Sequence, residues 1–233
     1  MPPTEVLHRP EELTGLVDGW RRLAASGDTS YFVSPDWVLG WWESLGNGTA
    51  AQVGVWRDVA GELQAVVPLA RVRQRLHPRV PLTVSTGVNL GSGPGAADHG
   101  GWAVRPEVAA DVKAWIARQA AEAPLVLNEL DPEVGVPFVP EGARRIGVSA
   151  CPRLAIPANG QELELSAKFR KQLRAYGRKL EREGVRFRFV GDGQMTEELL
   201  ETVYRLHERR WSLMGGTSSF DRSRASAEPT IEP

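Results

Sequence analysis

Two adjacent residues in a glycine-rich loop carry the side chains that proton transfer requires. Asp98 and His99 follow a stretch of glycine, proline and alanine, and two further glycines come after them. An imidazole exchanges a proton near neutral pH, and a neighbouring carboxylate can orient its ring. We therefore predict Asp98 and His99 as catalytic residues at the rim of a pocket, with chance placement in a polar loop as the alternative.

A cationic segment offers a second kind of chemistry, the binding of anions. Residues 161–190 contain nine Lys or Arg and four Glu, a net charge of +5, whereas the rest of the chain sums to −6. Like charges four residues apart destabilise a helix, so this clustering indicates an anionic ligand, and a solvated helix face is the alternative. We predict Lys171, Arg174 and Arg178 as its contacts. Trp211, which follows two arginines, can pack in a core or line the same kind of acceptor or anion site.

Motifs of several other site types are missing from the sequence. The glycines at 91–95 match neither the dinucleotide-binding nor the P-loop spacing, so they predict a plain loop. The four histidines are scattered and Cys151 is the only cysteine, so we predict no metal site. For Cys151 itself we predict a buried structural thiol. A hydrolase is disfavoured because no Gly-x-Ser-x-Gly elbow occurs.

The composition is that of a globular protein, with 233 residues of which 42% are apolar. No apolar run is long enough to span a membrane, and the N-terminal residues lack the pattern of a signal peptide. We therefore predict a cytoplasmic protein without a membrane span. The net charge of −1 argues against bulk nucleic-acid binding, so nucleic acid is not an expected partner.

Helices are predicted around the candidate residues in the first half of the chain. Apolar residues recur at helical spacing over 10–25, between charged residues. Ser34 is placed to cap the next helix, and Pro35 fits its first turn, where no amide hydrogen bond is lost. A further amphipathic helix is predicted to begin at Pro106.

Strands alternate with these helices. Period-two patterns predict a β-hairpin over 52–72, in which Pro68 indicates an edge or a bulge. Further strands are predicted over 82–85 and, as a short buried strand, over 125–130. This mixture predicts an α/β or α+β protein with a mixed sheet flanked by helices.

The last third of the chain predicts a different arrangement. A strand is expected over 144–149, followed by strong helices over 161–183 and 196–214 with a strand over 185–190 between them. The first of these helices carries a continuous stripe predicted to face a core, formed by Phe169, Leu173, Tyr176 and Leu180. The residues after Gly216 have almost no apolar content and predict a disordered tail.

Three segments in the same order resemble the CelD-like (cellulose-biosynthesis-associated) acetyltransferase family of the GNAT type. They are residues 32–37, the cationic stretch 168–174, and the stretch from Leu206 to Trp211 that leads into two glycines. Asp98–His99 after the glycine-rich loop, and Cys151–Pro152 before the cationic helix, also resemble that layout. The resemblance covers residues 30–220.

The resemblance implies two tandem GNAT-like folds, related in plan to FemABX-type aminoacyl transferases, with acetyl-CoA or another acyl-CoA held mainly by the second. The acyl-CoA signature of such folds is absent, and only seventeen residues follow Gly216. We therefore expect a chain that stops before its C-terminal GNAT half. The expected regions are an N-terminal GNAT-like domain at 1–155, a basic helix-strand-helix start of a second one at 156–216, and the tail at 217–233.

Three functions remain open from the sequence. The first is an acyltransferase that moves an acyl group, expected to be acetyl, from acyl-CoA to an amine or hydroxyl of a small molecule or polysaccharide precursor. The second is a non-catalytic binding or remnant domain whose basic helix docks an acidic partner. The third is an aminoacyl transferase of the FemABX kind, which the basic helices favour and the near-neutral overall charge does not.

Overall fold

The structure, a computed structural model, describes residues 1–27, 29–45, 49–77, 80–92, 98–151, 165–191 and 193–216. The chain forms two compact units, Met1–Arg144 with Glu208–Pro233, and Arg145–His207. The strands are β1 (Glu5–Leu7), β2 (Ala50–Arg57), β3 (Leu63–His77), β4 (Val80–Asn89), β5 (Ala103–Val104) and β6 (Leu125–Val126). The α-helices are α1 (Pro10–Leu13), α2 (Val17–Ala25), α3 (Pro35–Leu45), α4 (Ala109–Glu122), α5 (Ala167–Arg182) and α6 (Glu197–Leu213).

The first unit is built on a mixed sheet with the strand order β1-β2-β3-β4-β6. Neighbouring strands from β1 to β4 are antiparallel, β5 adds to β3, and β6 pairs with β4 in the parallel direction. A parallel neighbour requires a crossover, and α4 lies in the connection between these two strands. The predicted mixed α/β sheet flanked by helices is confirmed.

The hairpin predicted over 52–72 is formed by β2 and β3, and the strand predicted over 82–85 lies within β4. Pro68 lies in an interior strand rather than at an edge of the sheet. Its carbonyl accepts the Leu90 N–H at 3.0 Å, on the side where β3 changes partner from β5 to β4. The N–H and C=O of a strand residue point to the same neighbouring strand. Proline has no N–H, and at Pro68 this absence falls where β3 changes partner from β5 to β4.

Alternation along the strands gives the sheet two buried faces. One face carries Val53, Val55 and Val66 and packs against the N-terminal helices through Leu13 and Trp20. The opposite face packs against α4, and the core between them includes Trp56, Val67, Leu69 and Trp102 together with Trp115 and Ile116 of α4. The sheet therefore lies between two helical layers and supplies apolar side chains to both.

The helices of the first unit largely follow the predicted pattern. The helix predicted over 10–25 is interrupted by a short 3₁₀ turn between α1 and α2, although its apolar face is buried. α3 begins as predicted, because the Ser34 hydroxyl accepts the Trp37 N–H at 3.3 Å and Pro35 occupies the first helical position. The helix expected from Pro106 starts with a 3₁₀ turn and continues as α4.

The second unit contains α5 and the first part of α6. The Ser166 hydroxyl accepts the Phe169 N–H at 3.2 Å and caps α5. The stripe predicted to face a core is instead half-exposed, with Phe169 at 46%, Leu173 at 47% and Tyr176 at 55%. That prediction is wrong, because neither helix has a buried residue in the described structure. A helix able to cross a bilayer, which needs a long and nearly uncharged apolar run, does not occur in the described ranges.

Several predicted extended segments are not strands in the structure. Residues 144–149 and 185–190 form no described strand, and β6 covers only the start of the strand predicted over 125–130. Alternating apolar residues form a strand only where a partner supplies hydrogen bonds and contacts, and the described ladders leave the first two segments unpaired. Cys151, predicted to be buried, is exposed because it lies outside the sheet and its core. The tail predicted at 217–233 lies outside the described residues.

Candidate functional site

Polar side chains gather at the carboxyl ends of the parallel strands β4 and β6. The two strands pair over two residue positions. The side chain of Asn89 then continues the ladder, because its Oδ1 accepts the Asn128 N–H at 3.0 Å and its Nδ2 donates to the Asn128 carbonyl at 3.2 Å. The carboxyl ends of neighbouring parallel strands are a common place for ligands in α/β proteins.

Beyond this asparagine pair, the backbone after the glycine-rich loop pairs with the segment that follows β6. The Gly100 N–H donates to the Glu129 carbonyl at 2.7 Å, and the Gly100 carbonyl accepts the Asp131 N–H at 2.8 Å. A Cβ atom on Gly101 would lie 2.6 Å from the Val134 carbonyl oxygen, so only glycine permits this approach. These glycines therefore allow two stretches of backbone to pack together.

The same backbone arrangement places His99 next to a buried carboxylate. His99 Nδ1 lies 3.1 Å from Asp131 Oδ2, and the side chain of Asp131 is 3% exposed whereas that of His99 is 27% exposed. Because an ionised carboxylate only accepts hydrogen bonds, Nδ1 carries the hydrogen and Nε2 of the neutral ring keeps its lone pair. A ring held in this way can accept a proton at Nε2.

Both members of the pair are fixed by further hydrogen bonds. The Ser30 hydroxyl donates to the His99 carbonyl at 2.5 Å. Asp131 Oδ1 accepts the N–H of Glu133 at 2.8 Å and the N–H of Val134 at 3.4 Å. One oxygen of the carboxylate is therefore held by its own turn while the other faces the imidazole.

Asp98, predicted as a site residue with His99, does not supply the carboxylate that contacts the ring. It lies exposed in a turn, and the contact is made by Asp131, which is 32 positions beyond His99 along the chain. Asp131 was not among the site residues predicted from the sequence. One signal was present, since Asp131 follows a short apolar strand, where polar site residues of parallel sheets commonly lie. The catalytic roles of Asp98 and His99 stay predictions.

The start of α3 is fixed beside the glycine-rich loop. Trp37 Nε1 donates to the Gly91 carbonyl at 3.2 Å. Arg21 on α2 binds the Asp36 carboxylate with two nitrogens, at 2.5 and 3.0 Å. The hydrogen bond from Arg21 lowers the pKa of Asp36 below its usual range. Asp36 therefore stays ionised and joins α2 to α3.

Three aromatic rings lie in the segment that reaches His99. Tyr31, Phe32 and Trp37 contact one another edge to face, with ring centroids 4.8 to 6.2 Å apart. Ser30, which contacts the His99 backbone, directly precedes them, and Tyr31 is 62% exposed. An acceptor molecule that reached the imidazole would therefore have an aromatic surface on the adjoining segment.

The predicted anion-binding residues Lys171, Arg174 and Arg178 lie on one face of α5, in the second unit. All three are exposed, and within the described chain no ion pair joins them to a carboxylate. Trp211 lies on α6, is 40% exposed, and has its ring against Gly216. Their roles as acceptor-binding or anion-binding residues stay predictions.

Neither a metal-binding group among the described residues nor a known relative indicates the function of the chain. In the part of the chain that the structure describes, no three His, Cys, Asp or Glu side chains are grouped as a metal ion would require. No protein family model, curated protein or solved structure matches the chain. A functional conclusion therefore depends on the geometry of His99 and Asp131 and on the chemistry of the two units.

Proposed function

We propose that the chain acts as a GNAT-type acyltransferase, which moves an acyl group from acyl-CoA to an amine or hydroxyl acceptor. The observation that carries this proposal is the His99–Asp131 pair at the carboxyl ends of β4 and β6. His99 Nε2 takes the proton of the acceptor as its nitrogen or oxygen attacks the thioester carbonyl, and Asp131 stabilises the imidazolium. The carbon–sulfur bond then breaks, and the proton passes to the departing CoA thiolate.

Two features of the sheet support a GNAT-like fold for the first unit. Antiparallel strands β1 to β4 lead through α4 to the parallel strand β6. The direct ladder between β4 and β6 covers two residue positions. GNAT-type folds receive the pantetheine arm of acyl-CoA at a splayed pair of strands, and the resemblance assigns acyl-CoA mainly to the second of its two folds. Acetyl is the acyl group that the same resemblance favours.

The first unit has little room for that arm, which supports weak binding of acyl-CoA by this chain. The opening between the strands is closed by the Asn89 side chain and by the backbone at Gly100. The N–H groups of Asn128 and Gly100 already donate to protein oxygens there. The phosphates of CoA could still be attracted by Lys171 and Arg174, but exposed charges act over only about 8 Å at physiological salt.

A non-catalytic domain that docks an acidic partner is the second candidate. One observation favours it, since the His99–Asp131 pair also has a structural explanation. Asp131 organises its own turn through Glu133 and Val134, so the imidazole can serve as a tie between two loops. The exposed cations of α5 would then face the acidic partner.

Calorimetric titration of acetyl-CoA into the full chain tests the proposal. We expect measurable heat at low salt that disappears at high salt, and its loss in Lys171→Glu and Arg174→Glu. Arg118→Glu is the matched control, because Arg118 is an exposed cation on α4 in the other unit. Saturable micromolar binding that survives high salt would show that a true cofactor cradle exists, and no heat at any salt would favour the non-catalytic domain.

A further inference from the structure

The apolar stripe of α5 is open to solvent, although its sequence pattern resembles that of a buried face. Phe169, Leu173 and Tyr176 keep about half of their surface exposed, and Leu180 extends the same stripe by one turn. No residue of α5 is buried. A continuous stripe that includes two aromatic rings is costly to leave in water, so it indicates a partner surface.

Cations flank the stripe on both sides. By helical geometry, Lys168 and Lys179 lie about a quarter-turn to one side of the stripe and Arg170 about a quarter-turn to the other. The remaining cations of α5 lie on the opposite face. A mostly polar helix with one apolar stripe and Lys or Arg on its flanks is typical of peptides that lie in the plane of a membrane surface.

The segment that follows α5 also combines cations with exposed aromatic side chains, although it forms no helix or strand. Arg186 and Arg188 alternate with Phe187 and Phe189, and the two phenylalanines are 73% and 95% exposed. Between residues 168 and 190 the chain has nine Lys or Arg and two Glu. Exposed aromatic rings beside arginines are suited to the boundary between lipid headgroups and acyl chains.

We propose that α5 and the Arg186–Phe189 segment bind the surface of an anionic lipid bilayer. The stripe and the two phenylalanines insert at the level of the headgroups. The flanking lysines and arginines pair with lipid phosphates, and their long stems follow the same boundary. This inference does not depend on the acyltransferase proposal, because that proposal is carried by His99 and Asp131 in the first unit and is tested with a different ligand.

Other occupants fit these observations less well. A second copy of α5 packed stripe to stripe would bring its Lys168, Arg170 and Lys179 next to the same cations of the first copy, which repel one another. A nucleic acid would neutralise the cations but leave the apolar stripe and Phe189 in water. An anionic bilayer satisfies the charge and the apolar surface together.

Co-sedimentation of the full chain with vesicles tests the inference. The probe is phosphatidylcholine containing about one-third phosphatidylglycerol, compared with phosphatidylcholine alone. We expect binding to the anionic vesicles and little to the neutral ones. The double variant Phe169→Ser with Phe187→Ser should bind the anionic vesicles roughly tenfold more weakly, because two inserted rings are removed. Lys168→Glu with Arg170→Glu, one reversal on each flank of the stripe, should weaken binding by roughly a hundredfold.

Val59→Ser is the matched control, because Val59 is a fully exposed apolar residue in the first unit and should not alter vesicle binding. Circular dichroism will show whether the variants keep their helices. The inference is overturned if the wild-type chain fails to sediment with anionic vesicles or sediments equally with neutral ones. Unchanged binding of the double phenylalanine variant would also overturn it, and would leave an acidic protein or a nucleic acid as the occupant.

Discussion

His99 and Asp131 are held together by bonds that leave one nitrogen of the imidazole available. The His99 carbonyl is tied to Ser30, and the second oxygen of Asp131 is tied to its own turn. Neither side chain therefore has to reorganise before a proton moves. Preorganisation of this kind is what a general base requires.

The tautomer of His99 can be observed directly. We expect nitrogen-15 NMR of the neutral ring to show hydrogen on Nδ1 and a lone pair on Nε2, because the Asp131 carboxylate can only accept. In Asp131→Asn the side-chain amide can donate as well as accept, so the preference for this tautomer should weaken. A wild-type ring with hydrogen on Nε2 would contradict the assignment.

Glu12 gives a pH-dependent contribution to stability. The His8 backbone N–H donates to its carboxylate, the Arg9 side chain adds further hydrogen bonds, and together they lower the pKa of Glu12 from its ordinary value of 4.5 to about 2. A depressed pKa in the folded state stabilises the fold above the ordinary value and loses this effect as the pH falls towards about 2.

Urea denaturation across this pH range measures that contribution. We expect wild-type stability to fall more steeply between pH 4.5 and about 2 than that of Glu12→Gln, which has no proton to take up. The difference should be small because the carboxylate is solvent-exposed. Parallel curves for the two proteins would show that these hydrogen bonds do not persist in solution.

Residue-level features could be predicted where their partners are local. The Ser34 cap and Pro35 were correct because both partners lie within one helical turn. Asp131 could not be paired with His99 from the sequence, because their contact depends on the register of a parallel strand pair and joins residues 32 positions apart. Adjacency favoured Asp98 instead, although it lies in an exposed turn.

The backbone segments around Gly100 and Asp131 pack closely together, and this packing requires glycine at position 101. In Gly101→Ala the new methyl group would lie 2.6 Å from the Val134 carbonyl oxygen, so the backbone must shift. We expect a loss of about 1–3 kcal/mol in the free energy of unfolding, measured by chemical denaturation. The same shift should disturb the His99–Asp131 contact.

Gly40→Ala provides the control for that substitution. Gly40 lies within α3, and a methyl group there would meet no atom within 4 Å. We expect it to stabilise the protein by roughly 0.5–1 kcal/mol, because alanine is the better helix former. Equal effects of the two substitutions would mean that the close approach at Gly101 is not formed in solution.

Strand predictions succeeded only where the chain supplies a neighbour. The alternating residues of β2 and β3 pair with each other across a short turn, so the hairpin was predictable from local pattern. The segments 144–149 and 185–190 have comparable alternation, but no described strand pairs with them. Period-two patterning therefore identified residues suited to a sheet and could not establish that a sheet forms.

The two units divide the chemistry of the chain between them. The first contains a covered sheet with a histidine–carboxylate pair at one end, and the second exposes cations and apolar side chains. The mixed sheet could be predicted from the sequence because it depends on hydrophobic periodicity. The GNAT likeness and the acyl transfer stay proposals, because they depend on short motifs whose chemistry only an assay can test.

The initial rate of acetyl transfer from acetyl-CoA to amine and hydroxyl acceptors is the decisive test of His99 as the general base. It should be measured at high acetyl-CoA concentration, because weak binding is expected. We expect His99→Gln to lower the rate by about a hundredfold to ten-thousandfold. His8→Gln should leave the rate unchanged, because the His8 ring contacts the Ala51 carbonyl, away from the site. A His99→Gln protein that transfers acetyl at the wild-type rate would contradict the assignment of His99 as the base.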